Sequence, residues 1–136
     1  MVGLAPASGG DTNGAMWIPV KGNSMWPCLR PGDEAEISST EHRGIDEGDV
    51  VLARVVDRLV IHRVLAVRVD DVLLRGDNVA QGDPPIHRDH VLGVVMRVRR
   101  EGEVLETEEW SRRPGPLRLL SMRICQRARL LRARSP

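Results

Sequence analysis

The chain has 136 residues and a mass of 15.1 kDa; it is 41% hydrophobic, 29% charged and carries a formal charge of +1. A chain of this length forms one domain that buries roughly two thirds of its unfolded surface without metal, disulfide or partner, and no apolar run approaches the ~20 residues of a membrane-spanning helix. The small net charge hides a polarity: up to Glu109 there are 12 basic and 19 acidic residues, a body of −7, and the remaining eight arginines, Arg112 to Arg134, make a tail of +8.

In chain order, residues 1–15 are rich in Gly, Ala, Ser and Pro and have too little apolar surface to offset the entropy of ordering, which predicts a flexible N-terminal arm. They also lack the basic start and the apolar stretch of about 7–15 residues that mark a secretory signal, so a cytoplasmic location is expected. From Trp17 to Leu105 valine dominates, and short apolar runs alternate with turn signals at intervals that suit strands. The expected strands are Trp17–Lys21, Glu34–Ser38, Val50–Val56, Leu59–Val69, Val72–Arg75, Val91–Arg99 and Val104–Glu106. Asp57-Arg58 and Asp70-Asp71 read as two-residue hairpin connections, and Gly102 marks another reversal between Arg100 and Glu103. The domain over 16–110 is therefore expected to be mainly β and antiparallel.

Beyond Pro116, Leu117, Leu120, Ile124, Ala128 and Leu131 recur at helical spacing, which predicts a basic amphipathic helix within 111–136. Such a helix can dock on the acidic body, or make peripheral contact with anionic membrane lipid at ~1 kcal/mol per basic residue. Nucleic acid is disfavoured as a partner, because the chain has no Phe or Tyr and its three Trp are dispersed. Cys28 and Cys125 have no zinc-type spacing with histidine; Cys28 reads as a small buried residue and Cys125 as a helix residue. No metal or cofactor is expected. His42, His87 and His90 fall in predicted loops as solvated surface residues.

The informative stretch is Gly22-Asn23-Ser24-Met25-Trp26-Pro27-Cys28-Leu29-Arg30-Pro31-Gly32-Asp33. It reads as a serine lifted from a strand end, with Gly22 permitting a tight approach and Pro27 stiffening the exit. A lone serine in such a place is usually only a turn residue. This run, however, resembles the G-x-S-M-x-P-x-L-x-x-G-D box of the serine peptidases that include signal peptidases and LexA-type self-cleaving repressors. Three further blocks follow in the order of that superfamily: Gly48-Asp49-Val50-Val51, Arg75-Gly76-Asp77-Asn78 with Asp83, and Leu92-Gly93-Val94-Val95. The resemblance covers roughly Val20 to Arg99 and implies the LexA/signal-peptidase antiparallel β fold.

A serine hydroxyl needs an adjacent base. In the bacterial branches that base is a lysine, but the matching segment here, Leu59 to Val64, holds His62. The chain has one lysine, Lys21. If its segment is extended, Lys21 stands about 10 Å from Ser24 on the opposite side of the sheet, a poor position for a base. The Ile61-His62-Arg63-Val64 segment is similar to the Ser-His signal peptidases of endoplasmic reticulum and archaeal type. An unperturbed imidazole, with a pKa of ~6.5, can accept a proton near neutrality without the desolvation that a lysine base requires.

The resemblance implies Ser24 as nucleophile, His62 as general base and Asp83 as orienting carboxylate, with Asp77 as the second candidate for orienter or as a residue that sets the loop. It also suggests the Ser24 amide as an oxyanion donor; Asn23 is a second candidate by its closeness in the chain, and Met25 and Trp26, which flank Ser24, are expected either to wall a shallow substrate cleft or to pack in the core. The implied substrate is an extended peptide with small residues before the scissile bond. With no membrane anchor and no Ala-Gly or Cys-Gly bond in the arm, the expectation is a soluble processing peptidase. A non-catalytic peptide-binding module and a self-cleaving regulator are the alternatives.

Overall fold

The computed structural model describes residues 16–41 and 44–111. Eight strands form one antiparallel sheet: β1 (Met16–Pro19), β2 (Glu34–Ser38), β3 (Val50–Val55), β4 (Arg58–Val67), β5 (Asp71–Arg75), β6 (Ile86–His87), β7 (Val91–Arg100) and β8 (Glu103–Leu105). The spatial order is β1-β2-β7-β3-β4-β5-β6, with β8 also on β7. A single 3-10 turn, Arg88–His90, precedes β7, and a four-residue helix, α1 (Thr107–Trp110), follows β8. The mainly β, antiparallel architecture agrees with the sequence reading. The arm over 1–15, His42 and the basic helix expected after Pro116 lie outside the described residues.

The sheet is buried on both faces at its centre, which is why β3 reads as the unbroken apolar run Val50-Val51-Leu52-Ala53. Alternate residues of that strand serve different cores. Val50 and Leu52 join Ile18, Met25, Leu29, Ile61, Val98 and Trp110, whereas Val51, Ala53 and Val55 join Val64, Val72, Leu74, Ile86 and Val94. The long β7 ties the two halves, since its residue Val94 pairs with Ser38 of β2 on one side and Val51 of β3 on the other. Trp110 is held by a short helix whose N-terminus has a reciprocal Glu106/Glu109 capping box, and Thr107 Oγ1 donates to Met96 O at 2.8 Å.

Two expected reversals are shifted by one residue. Val55 pairs with Arg58, so the β3–β4 connection is Val56-Asp57, both in the left-handed region at φ 47° and 56°. A β-branched residue is the least expected occupant of such a position, which is why the sequence pointed to Asp57-Arg58 instead. Likewise Arg68 N donates to Asp71 O at 2.9 Å and Val67 pairs with Val72, leaving Val69-Asp70 as the connection. The Glu101-Gly102 turn falls between Arg100 and Glu103 as expected.

Candidate active site

Strand β1 stops at Pro19 rather than Lys21, and Gly22, at φ 79°, turns the chain out of the sheet. The segment from Val20 to Asp33 then closes on itself: Val20 N donates to Asp33 O at 2.8 Å, and Gly32 N to Val20 O at 3.3 Å. Inside it, Leu29 N donates to Met25 O at 3.0 Å, a single helical turn that puts Met25 and Leu29 on one side. Its far end is stapled to β7, because Arg100 donates to both carboxylate oxygens of buried Asp33 at 3.0 and 2.8 Å and to Cys28 O at 3.0 Å.

The Gly76-Asp77-Asn78 turn after β5 grips this loop from the other side. Asn78 N donates to Ser24 O at 2.8 Å, Asn78 Nδ2 to Asn23 O at 3.0 Å, and Asp77 N to Met25 Sδ at 3.4 Å. Gly76 is required here by space: a Cβ on it would lie 2.6 Å from Ser24 O and 3.2 Å from His62 Nε2. The same numbers place the Ser24 backbone and the His62 ring against one glycine.

His62 and Arg63 are consecutive on β4 and point to opposite faces, opposite Val51 and Val50 respectively. His62 is buried, and its Nδ1 is bonded to the Asp83 carboxylate. Asp83 is held in place by its own amide, which donates to Leu74 O at 2.8 Å. Arg63 takes the other carboxylate: its Nε and Nη2 donate to Oδ1 and Oδ2 of Asp77, both at 2.8 Å. Arg63 also donates to Gly48 O and Ser111 O at 2.9 Å each, and to Cys28 Sγ at 3.6 Å. Burial by itself would lower the Arg63 pKa, but the hydrogen bonds and charge of Asp77 outweigh it and raise it. Burial pushes the neighbouring Cys28 thiol up to about 11, with the Asp77 charge acting in the same direction.

Ser24 and His62 line one cleft of about 820 Å³, together with Met25, Leu29 and the end of the β3–β4 hairpin. Among the described residues no hydrogen bond joins the Ser24 side chain to His62, and the Ser24 amide is not engaged in one.

These positions correct several expectations. Asp77, read as second candidate for orienter or as the residue that sets the loop, faces Arg63 and not His62, which fits the second of those readings. Trp26 and Asn23 do not line the cleft. The helical turn carries Met25 inward and Trp26 away, while the Asn23 carbonyl is occupied by Trp26 N at 3.1 Å and by Asn78. Met25 combines both roles considered for it, lining the cleft and filling the core at 2% exposure. The segment from Lys21 to Ser24 is not extended, and Lys21 stands exposed on the rim of the same cleft. The geometric ground for setting Lys21 aside therefore fails; the Asp83 partner of His62 is the stronger one.

Residues 4–96, more than half of the chain, match the family described as Peptidase S24-like. The chain belongs to the Peptidase S24-like family. No curated protein matches it. The matched region contains Ser24, His62, Asp77 and Asp83, and it ends within β7 of this S24-like sheet. Arg63 is the residue of this candidate site that the sequence reading missed. Its signal was present, an arginine beside His62 and a second acid in the block from Gly76 to Asp83, but only the fold could pair them.

Proposed function

We propose that this S24-like protein is a serine endopeptidase that cleaves an extended peptide through an acyl-enzyme on Ser24. His62 accepts the hydroxyl proton as Ser24 attacks the scissile carbonyl, then delivers it to the leaving amine; water repeats the sequence to release the acid. Asp83 holds the ring by Nδ1, which fixes the tautomer and stabilises the imidazolium, while Nε2 is directed past Gly76 toward the nucleophile loop. The Ser24 amide is available to the tetrahedral oxyanion.

The observation that carries this reading is the Asp83–His62 bond in a cleft shared with Ser24. A Ser-His contact that tightens only when substrate arrives fits the catalytic reading. Its absence among the described residues equally favours a second one, a peptide-binding module of the same fold without turnover. Incubating the protein with small-residue peptides and weighing the products by mass spectrometry decides between them. Cleavage that is abolished in both Ser24→Ala and His62→Ala supports the peptidase, and binding without product supports the module. Shortening of the protein itself at a rate independent of its concentration would identify self-processing instead.

Among the described residues no helix is long and apolar enough to cross a membrane. Action on a leader or pro-segment in the cytoplasm, with the arginine-rich tail touching anionic lipid, completes the proposal on the sequence alone.

A further inference from the structure

The cleft has an apolar floor and a cationic far end. Leu29, Leu59 and Ile61 line the floor, and Lys21, Arg54 and Arg58 stand exposed around it with a single carboxylate, Asp57. Arg63, Arg97, Arg99 and Arg100 all face carboxylates elsewhere in the sheet. Among the described residues Lys21, Arg54 and Arg58 take part in no ion pair. Three unpaired cations against one anion therefore collect in one cleft, on a body whose overall charge up to Glu109 is −7. A cleft lined by one sign of charge with apolar walls focuses its field and draws in the opposite charge.

The register of the hairpin gives the distance. Val55 pairs with Arg58 and Arg54 with Leu59, so both arginines sit at the turn end of β3–β4, Arg58 four residues along β4 from His62 and Arg54 level with the position three residues from it. At ~3.3 Å per residue that is roughly 10–13 Å, the reach of three to four residues of extended peptide.

We propose that this cleft selects a peptide carrying acidic side chains three to four residues from the scissile bond, with Arg54 and Arg58, assisted by Lys21, as the specificity-determining residues. The inference rests on the reading of the cleft as the peptide site and assigns the substrate class. An extended segment lays its apolar side chains on Leu59 and Ile61, while its carboxylates meet the two guanidiniums at the hairpin end. Asp57 repels a carboxylate that overshoots the turn.

The test uses the Ser24→Ala protein and fluorescein-labelled decapeptides with an Ala/Val/Leu body. Each peptide carries a Glu-Glu, Gln-Gln or Lys-Lys pair four residues to one side of the centre or to the other. Fluorescence anisotropy is expected to show the Glu-Glu peptide of one orientation binding about tenfold more tightly than its Lys-Lys counterpart, with Gln-Gln between them. The gap narrows in high salt and disappears in Ser24→Ala/Arg54→Gln/Arg58→Gln. Equal binding of the three peptides, a gap that survives the arginine substitutions, or no binding of any peptide overturns the proposal. Because this readout needs no turnover, an acidic preference in a protein that never cleaves would sink the peptidase reading alone, and cleavage without the preference would sink this inference alone.

Discussion

His62 and Arg63, adjacent on β4, bind different carboxylates on the same downstream loop: Nδ1 of His62 takes Asp83, and the guanidinium of Arg63 takes both oxygens of Asp77. Strand alternation makes the division, sending one side chain toward the cleft and the other toward Gly48, Cys28 and Ser111. The loop from Asp77 to Asp83, with five residues between the two aspartates, is thus tied to β4 by two separate anchors, one on each face.

That division predicts different consequences for two similar substitutions. Asp83→Asn keeps the shape but removes the charge that stabilises an imidazolium, so kcat is expected to fall on the order of a thousandfold while the melting temperature changes little. Asp77→Asn is expected to do the reverse in rank, lowering stability more than Asp83→Asn does. Thermal melts and peptide hydrolysis on the same samples check the crossover.

Arg63→Met removes the guanidinium from Asp77, a carboxylate with 2% of its side chain exposed. Breaking one side of a buried pair costs about 3–5 kcal/mol, which urea unfolding will register as a lower midpoint. The double variant Arg63→Met/Asp77→Leu should recover much of that loss, because no charge is then left buried. If the double variant is no more stable than the single one, the other Arg63 bonds, to Gly48 and Ser111, dominate.

Gly76→Ala tests the close approach of loop and ring. The new methyl group would meet Ser24 O at 2.6 Å, Val79 Cγ2 at 3.0 Å and His62 Nε2 at 3.2 Å. Since the nearest of these is backbone, a smaller neighbour cannot relieve the clash. Activity is expected to drop at least about a hundredfold and stability by about 1–3 kcal/mol, and Val79→Ala added to it should restore neither.

Cys28 supplies a pH prediction. Its thiol is raised from 9.0 to about 11, so folding favours the neutral form. The contribution is fully present below the unfolded value and is lost as pH rises through the folded one, a window from about 9 to about 11. At pH 8 the folded thiolate fraction is roughly a hundredfold below that of an ordinary cysteine, and alkylation by iodoacetamide, followed at Cys28 by peptide mapping, should slow accordingly. Arg63→Met should change that rate, because the guanidinium contacts the sulfur.

Much of the molecule was legible in residue order. Valine-rich runs between turn signals gave seven of the eight strands nearly in place; only Ile86–His87, two residues long, carried no pattern that could be seen. Ser24 in its Gly/Pro frame and His62 in the Ile-His-Arg-Val segment stand out in the sequence because both lie within ordered blocks that are local in the chain. Local patterns could not say which carboxylate belongs to which partner. Asp77 and Asp83 differ only in how the loop after β5 folds back, one beneath Arg63 and the other beside His62. The same holds for Lys21, whose place on the cleft rim depends on a turn at Gly22 that extended-strand arithmetic ignored, and for the cations of the β3–β4 hairpin, which share a cleft with Ser24 only once the sheet has formed. Periodicity and turn chemistry act over a few residues, so the sequence by itself determined the sheet and nominated the reacting groups. Pairing of buried charges acts across the fold, and only the tertiary structure decided it.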